Sequence, residues 1–140
     1  MSRKAKRSKN LRTIFVVLAL LLVAGGGFAA VKYAEAAREA ETVRNMEIRD
    51  MDLSEIHDGT YPGNFTYGGF TYTVEVTIRN YTIADIEITS NRSTKYAKMA
   101  EGVVQNVLTR GNTAADVVTG ATTTSKALLK AIEQAIECNL

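Results

Sequence analysis

The order of apolar and polar positions divides the chain into segments of different period. Thr13 to Val31 is a run without a charged residue, TIFVVLALLLVAGGGFAAV. At 1.5 Å per residue a helix of this length spans about 28 Å, close to the ~30 Å hydrocarbon core of a bilayer. The run predicts a single transmembrane helix over 13–31. Residues 32–57 are rich in Ala, Glu and Arg at spacings that suit a solvated helix, and predict a charged stalk or linker. Turn formers crowd Asp58-Gly59-Thr60-Tyr61-Pro62-Gly63, where a folded domain covering 58–140 is expected to open. From Phe70 to Arg79 the alternation is strict. Phe70, Tyr72, Val74, Val76 and Ile78 share one face; Thr71, Thr73, Glu75, Thr77 and Arg79 share the other. That is a strand with one wet face. A turn at Asn80-Tyr81-Thr82 leads to a second strand over 83–89, in which Ala84, Ile86 and Ile88 alternate with Asp85, Glu87 and Thr89.

The period then changes. Tyr96, Met99, Ala100, Val103, Val107 and Leu108 recur at three and four, which predicts one amphipathic helix over 95–110, with Gly111 placed to end it. A last helix over 125–137 carries the stripe Leu128, Leu129, Ile132, Ala135 and Ile136. The fold class that follows is α+β: a small antiparallel sheet packed with helices, preceded by one N-terminal transmembrane helix.

Charge sharpens this picture. The formal net charge of +2 hides a split. Arg3, Lys4, Lys6, Arg7, Lys9 and Arg12 lie in a basic segment, 1–12, that has no acid, and the rest of the chain is net acidic. Basic residues before an apolar span stay in the cytoplasm, so the expected topology is single-pass in the cytoplasmic membrane with the C-terminal domain outside. A cleaved signal peptide is the competing reading, with small residues at Gly25-Gly26-Gly27 and Ala29-Ala30, but the uninterrupted length favours a retained anchor. A nucleic-acid binder would carry its basic patch on the folded part, which disfavours that class here. Cys138 and His57 are single residues of their types and make neither a disulfide nor a metal site.

One segment carries chemistry. In Asp116-Val117-Val118-Thr119-Gly120-Ala121-Thr122-Thr123-Thr124-Ser125, hydroxyls occupy 122 to 125 in succession at the head of the last helix. Ser and Thr are favoured helix N-caps, and a cap needs only one of them. Gly120 and Ala121 add near-absence of side chain just before the run, which lets another group approach the backbone. The free amides and dipole of a helix N-terminus favour an anion, most naturally a phosphate. The residues by themselves give a candidate phosphate site.

Asp116-Val117-Val118-Thr119-Gly120-Ala121-Thr122 also resembles the flavinylation motif Asp-x-x-(Ser/Thr)-Gly-Ala-Thr of the FMN-binding domain family. Asp58 to Gly63 is similar to the Asp-Gly-x-Tyr-x-Gly that opens this domain, and the strands and C-terminal helix follow in the family's order. The family includes the FMN-bearing subunits of the sodium-translocating NADH:quinone oxidoreductase and of the Rnf complex, and small anchored extracytoplasmic domains. The resemblance implies FMN esterified through its phosphate to Thr122, attached from FAD by a magnesium-dependent flavin transferase. It implies Thr119, Gly120, Ala121, Thr123, Thr124, Ser125 and Asp116 as the surrounding cofactor-binding residues. Asp116 serves either the transferase, its metal or only the turn. Where relatives often have a larger apolar residue after the acceptor, this chain has Thr123. Tyr61, Tyr67 and Tyr72 are stacking candidates for the ring. The expected role is an anchored electron relay, with a flavin transferase, membrane lipid and a membrane redox donor or acceptor as partners. The alternatives are a non-covalent FMN-binding or structural module, or an accessory domain of an extracytoplasmic reductase. No acid–base constellation points to a stand-alone enzyme.

Overall fold

A computed structural model describes residues 3–140, with side chains from Leu11 onward; residues 1–2, and the side chains of the basic segment before Leu11, lie outside the described residues. The chain forms two units, Met1–Arg38 and Glu39–Leu140. The first is most of helix α1 (Arg3–Asn45). From Leu11 on this helix is long and apolar enough to cross a membrane, with a mean hydropathy of 2.7 in its most apolar window, and none of that window is buried. Its exposed Leu, Val, Ile and Phe side chains fit a helix whose solvent is lipid.

The second unit has the expected α+β architecture. Strands β1 (Gly59–Tyr67), β2 (Phe70–Arg79) and β3 (Thr82–Ser90) form one antiparallel sheet in the order β1-β2-β3. Helices α2 (Lys95–Ala100), α3 (Val103–Arg110) and α4 (Thr122–Glu137) follow. Helix α4 lies across β1 and β2, and α3 packs on β3. The alternation of β2 is as expected: Tyr72, Val74, Val76 and Ile78 are fully buried and their neighbours face outward. Leu128, Leu129, Ile132 and Ile136 of α4 close over them, each also fully buried. Burial of such a side chain contributes about 1.5–3 kcal/mol.

Four expectations are corrected. The stretch of turn formers 58–63 is mostly strand: β1 runs through Pro62, which pairs with Glu75 from the edge of the sheet, where a missing amide is tolerated. In β3 the inward residues are Ile83 and Ile86; a register shift beside Ile78 leaves Ala84 exposed. The helix expected over 95–110 is two helices, parted at Glu101-Gly102. Gly111 does end the second, in the left-handed conformation.

The fourth correction concerns the expected stalk. The compact unit begins at Glu39, and Val43, Met51, Leu53 and Ile56 belong to its core. Hydrogen bonds fasten the segment down. The Thr113 hydroxyl accepts from the Met51 amide at 3.2 Å and donates to the Arg49 carbonyl at 2.6 Å. Lys126 Nζ donates to the Met46 carbonyl at 2.8 Å. Glu133, only 2% exposed, accepts from the Arg49 amide and Nε and from Lys130 Nζ. Burial pushes the Glu133 carboxyl up, but the hydrogen bonds from Lys130 and Arg49 outweigh it and hold its pKa below the usual 4.5.

Two predictions follow from this packing. A Cβ on Gly63 would run into the Ala131 carbonyl oxygen and come within 2.6 Å of the Ala135 methyl. Gly63→Ala should therefore lower the unfolding free energy by about 1–3 kcal/mol in urea titration, as overpacking does. Because the folded pKa of Glu133 is depressed, its stabilisation is present above the free value of 4.5 and lost as pH falls below it. Glu133→Gln should cost about 1–3 kcal/mol at pH 7 and flatten the loss of stability on acidification, measured by urea titrations at a series of pH values.

Candidate functional site

The loop from Gly111 to Ala121 delivers the hydroxyl run to the first turn of α4. Asn106 Nδ2 holds it at one end, donating to the Asp116 carbonyl at 2.7 Å, and the Ala121 amide returns to the Val118 carbonyl at 3.0 Å. Between these bonds Gly120 has φ +83°, a left-handed conformation that glycine adopts without steric cost. The nearest atom to a Cβ there would be Met99 Cε at 3.7 Å, so the backbone face is open.

Helix α4 begins at Thr122, three residues earlier than expected, and its N-cap is Ala121. No side chain caps it. The hydroxyls thus do not do what Ser and Thr usually do at a helix start. Ser125 Oγ turns inward and accepts from the Val118 amide at 3.2 Å, and the Ser125 amide is already bonded to the Ala121 carbonyl at 2.9 Å. The amides left for a ligand are those of Thr122, Thr123 and Thr124, which form the first turn.

These residues line a cleft of about 390 Å³ with Gly120, Ala121, Arg44 and Tyr96. The volume falls within the range of small-molecule and cofactor sites, about 300–1,000 Å³. Arg44 is exposed at the end of α1 and makes no ion pair among the described residues; Tyr96, on α2, is 62% exposed. A guanidinium beside free helix amides favours an anion, and an exposed ring offers a face for stacking. The donors present fit FMN: free amides and a cation for the phosphate, and an aromatic face for the ring.

The structure brings together Gly120, Ala121, Thr122, Thr123 and Thr124 from the expected set. Asp116 and Thr119 are exposed in the loop and Ser125 is buried beneath it, all outside the cleft lining. Tyr61, Tyr67 and Tyr72 do not line it either; Tyr72 is buried in the core, and Tyr61 donates its hydroxyl to the His57 carbonyl at 2.8 Å. Arg44 and Tyr96 were not foreseen. Arg44 looked like part of a solvated stalk, and Tyr96 like part of an apolar stripe.

An α+β domain with an uncapped, threonine-rich helix start facing this cleft has donors that suit a phosphate and a ring face that suits an aromatic group. The model of the FMN-binding domain family matches residues 67–137, half of the chain, and the protein belongs to that family. The match starts at Tyr67, so most of β1, the Asp58 opening and Arg44 lie ahead of it. No curated protein matches the sequence. FMN is thus the cofactor this domain binds.

Arg44 gives a test of the cleft. Arg44→Gln should weaken binding of FMN about tenfold at low ionic strength, with a smaller effect in high salt, while leaving the thermal unfolding of the flavin-free protein unchanged. Fluorescence titration with FMN at two salt concentrations measures it.

Proposed function

We propose that the protein is a membrane-anchored electron relay that carries FMN as a phosphoester on Thr122, on the outer side of the cytoplasmic membrane. The observation that carries this reading is the uncapped first turn of α4, with Thr122 in the cleft and three unclaimed amides around it. Bound FMN supplies one- and two-electron redox chemistry. The chain's own residues hold and orient it. Gly120 and Ala121 leave the approach to Thr122 open, because neither has a side chain large enough to obstruct it. In attachment, the Thr122 oxygen would bond to the FMN phosphorus of FAD as the bond from that phosphorus to the bridging oxygen breaks; the bridging oxygen would leave on AMP and the Thr122 proton would pass to water. Arg44 and the amides of Thr122 to Thr124 then balance the charge that remains on the phosphoester. Tyr96 offers its ring face to the isoalloxazine.

Helix α1 supports the anchoring half of the reading: it is long and apolar enough to span, and the basic segment before it sets the N-terminus inside. A tethered, covalently held cofactor is not lost outside the cell, and it stays at the membrane with quinones and membrane-bound partners. Attachment then takes place after export, by a flavin transferase on that side.

Membranes from cells that co-express a flavin transferase, run on a denaturing gel under ultraviolet light, test this reading. The expected result is a fluorescent band in the membrane fraction that is absent from Thr122→Ala and fades when a membrane electron donor reduces the sample before denaturation without air. A dark wild-type band with FMN still bound under native conditions would instead make the domain a non-covalent carrier.

A further inference from the structure

Tyr72 is fully buried, yet its hydroxyl has no hydrogen-bond partner, and neither has the buried Nε of Arg92. An unpaired buried polar atom costs about 1–3 kcal/mol, and proteins hold few of them. One end of the Arg92 guanidinium is engaged. Its Nη2 donates to the carbonyls of Tyr67 and Gly68 at 2.9 and 2.8 Å, which pins the β1–β2 turn. Its guanidinium carbon lies 5.4 Å from the ring centres of Tyr67 and Phe70 and 5.9 Å from that of Tyr72. Of its protons, only the one on Nε is both buried and without a partner. The Tyr72 phenol feels its own burial first, and then the Arg92 guanidinium, the Thr124 hydroxyl and the Tyr67 phenol, none of which meets it in bonding geometry. Thr124 lines the cleft. The orphaned Tyr72 hydroxyl therefore lies between a residue of the cleft wall and the Arg92 side chain that packs on its ring.

We propose that Arg92, Tyr72 and Thr124 form a directed hydrogen-bond chain that closes when FMN occupies the cleft and presents the Thr124 proton to a phosphate oxygen. This rests on the reading that puts the FMN phosphate at the start of α4. The direction is set by chemistry. A guanidinium can only donate. The Tyr72 oxygen then accepts from Nε, so its own proton goes to Thr124 Oγ1. Thr124 in turn has its proton left for the cleft. Each donor is strengthened by the one behind it, and the first carries a fixed positive charge. The end of the chain suits an anionic, acceptor-rich group. Arg92 and Tyr72 are positioning residues that act through Thr124.

Tyr72→Phe removes the hydroxyl and keeps the ring. Thermal unfolding of the full chain in detergent is measured for wild type and variant, flavin-free and FMN-bearing. FMN is supplied by a transferase or as free ligand in excess, and a denaturing gel reports the linkage separately, so failure of the ester is seen on its own. Flavin-free Tyr72→Phe should unfold at or above the wild-type temperature, because the deleted group had no partner. With FMN bound it should unfold below wild type. In protein made without transferase, its dissociation constant for FMN should rise about tenfold. The phosphorus NMR signal of bound FMN should move, and Thr124→Val should reproduce both effects. Equal destabilisation with and without FMN would mean the hydroxyl is satisfied within the protein or by a buried water. An unchanged affinity with an unmoved phosphorus signal would mean the chain does not reach the phosphate. Either result overturns the proposal.

Discussion

Helix α4 cannot be buried along the sheet without fixing where its first turn ends up, and much of the structure depends on that coupling. Leu128, Leu129, Ile132 and Ile136 are fully buried where the helix packs on the sheet and on α2 and α3, so turning or sliding it would expose apolar surface. Gly63 tightens the constraint further: β1 approaches so closely that the Ala131 carbonyl and Ala135 leave no room for a side chain. A helix held this firmly can leave its N-terminal amides unsatisfied, because its stability comes from its apolar face rather than from its cap. The same three amides in a marginal helix would have to be capped by their own threonines. Rigid packing along the helix is what lets its first turn stay uncapped.

The cationic side of the cleft has the same origin. Arg44 lies ahead of the family's matched region, at the end of α1. It is placed there by the segment that follows it. Val43 is buried in the core, Lys126 holds the Met46 carbonyl, and Glu133 takes both the amide and the side chain of Arg49. Two of these contacts come from α4 itself. The helix that offers the amides thus also fastens the segment that follows Arg44, so one element helps to place both sides of the cleft.

Strict alternation made β2 legible, since both of its faces are specified residue by residue. The C-terminal helix was legible from its apolar stripe. What sequence reasoning missed was set by tertiary packing. Tyr61, Gly63, Phe65 and Tyr67 do alternate in β1, but Gly59, Pro62 and Gly63 masked the pattern; Gly63 is small because α4 is close, and Pro62 is tolerated because the strand is an edge. In β3 the inward positions pass from Ile83 to Ile86, and an irregularity in pairing cannot be inferred from period alone. Met51, Leu53 and Ile56 are buried from an irregular segment with a turn at Ser54-Glu55 and too few apolar residues to define a period. At the site, Gly120 to Thr124 were legible because they are contiguous. Arg44 and Tyr96 reach the same cleft from distant parts of the chain, and nothing local marks either one.

Two kinds of unsatisfied group meet at Thr124. Its amide belongs to the free first turn, and its hydroxyl lies beside the buried Tyr72 phenol. Burial raises the pKa of that phenol, while the Arg92 charge opposes the shift, so the group stays a neutral donor across the physiological range. A neutral donor backed by a fixed cation does not change state with pH, unlike a histidine in the same place. On the proposed placement of the FMN phosphate, such constancy would hold the phosphate end in one state while the flavin ring changed its own. The cleft lining itself, with Arg44, Tyr96 and the residues from Gly120 to Thr124, contains no histidine and no carboxylate.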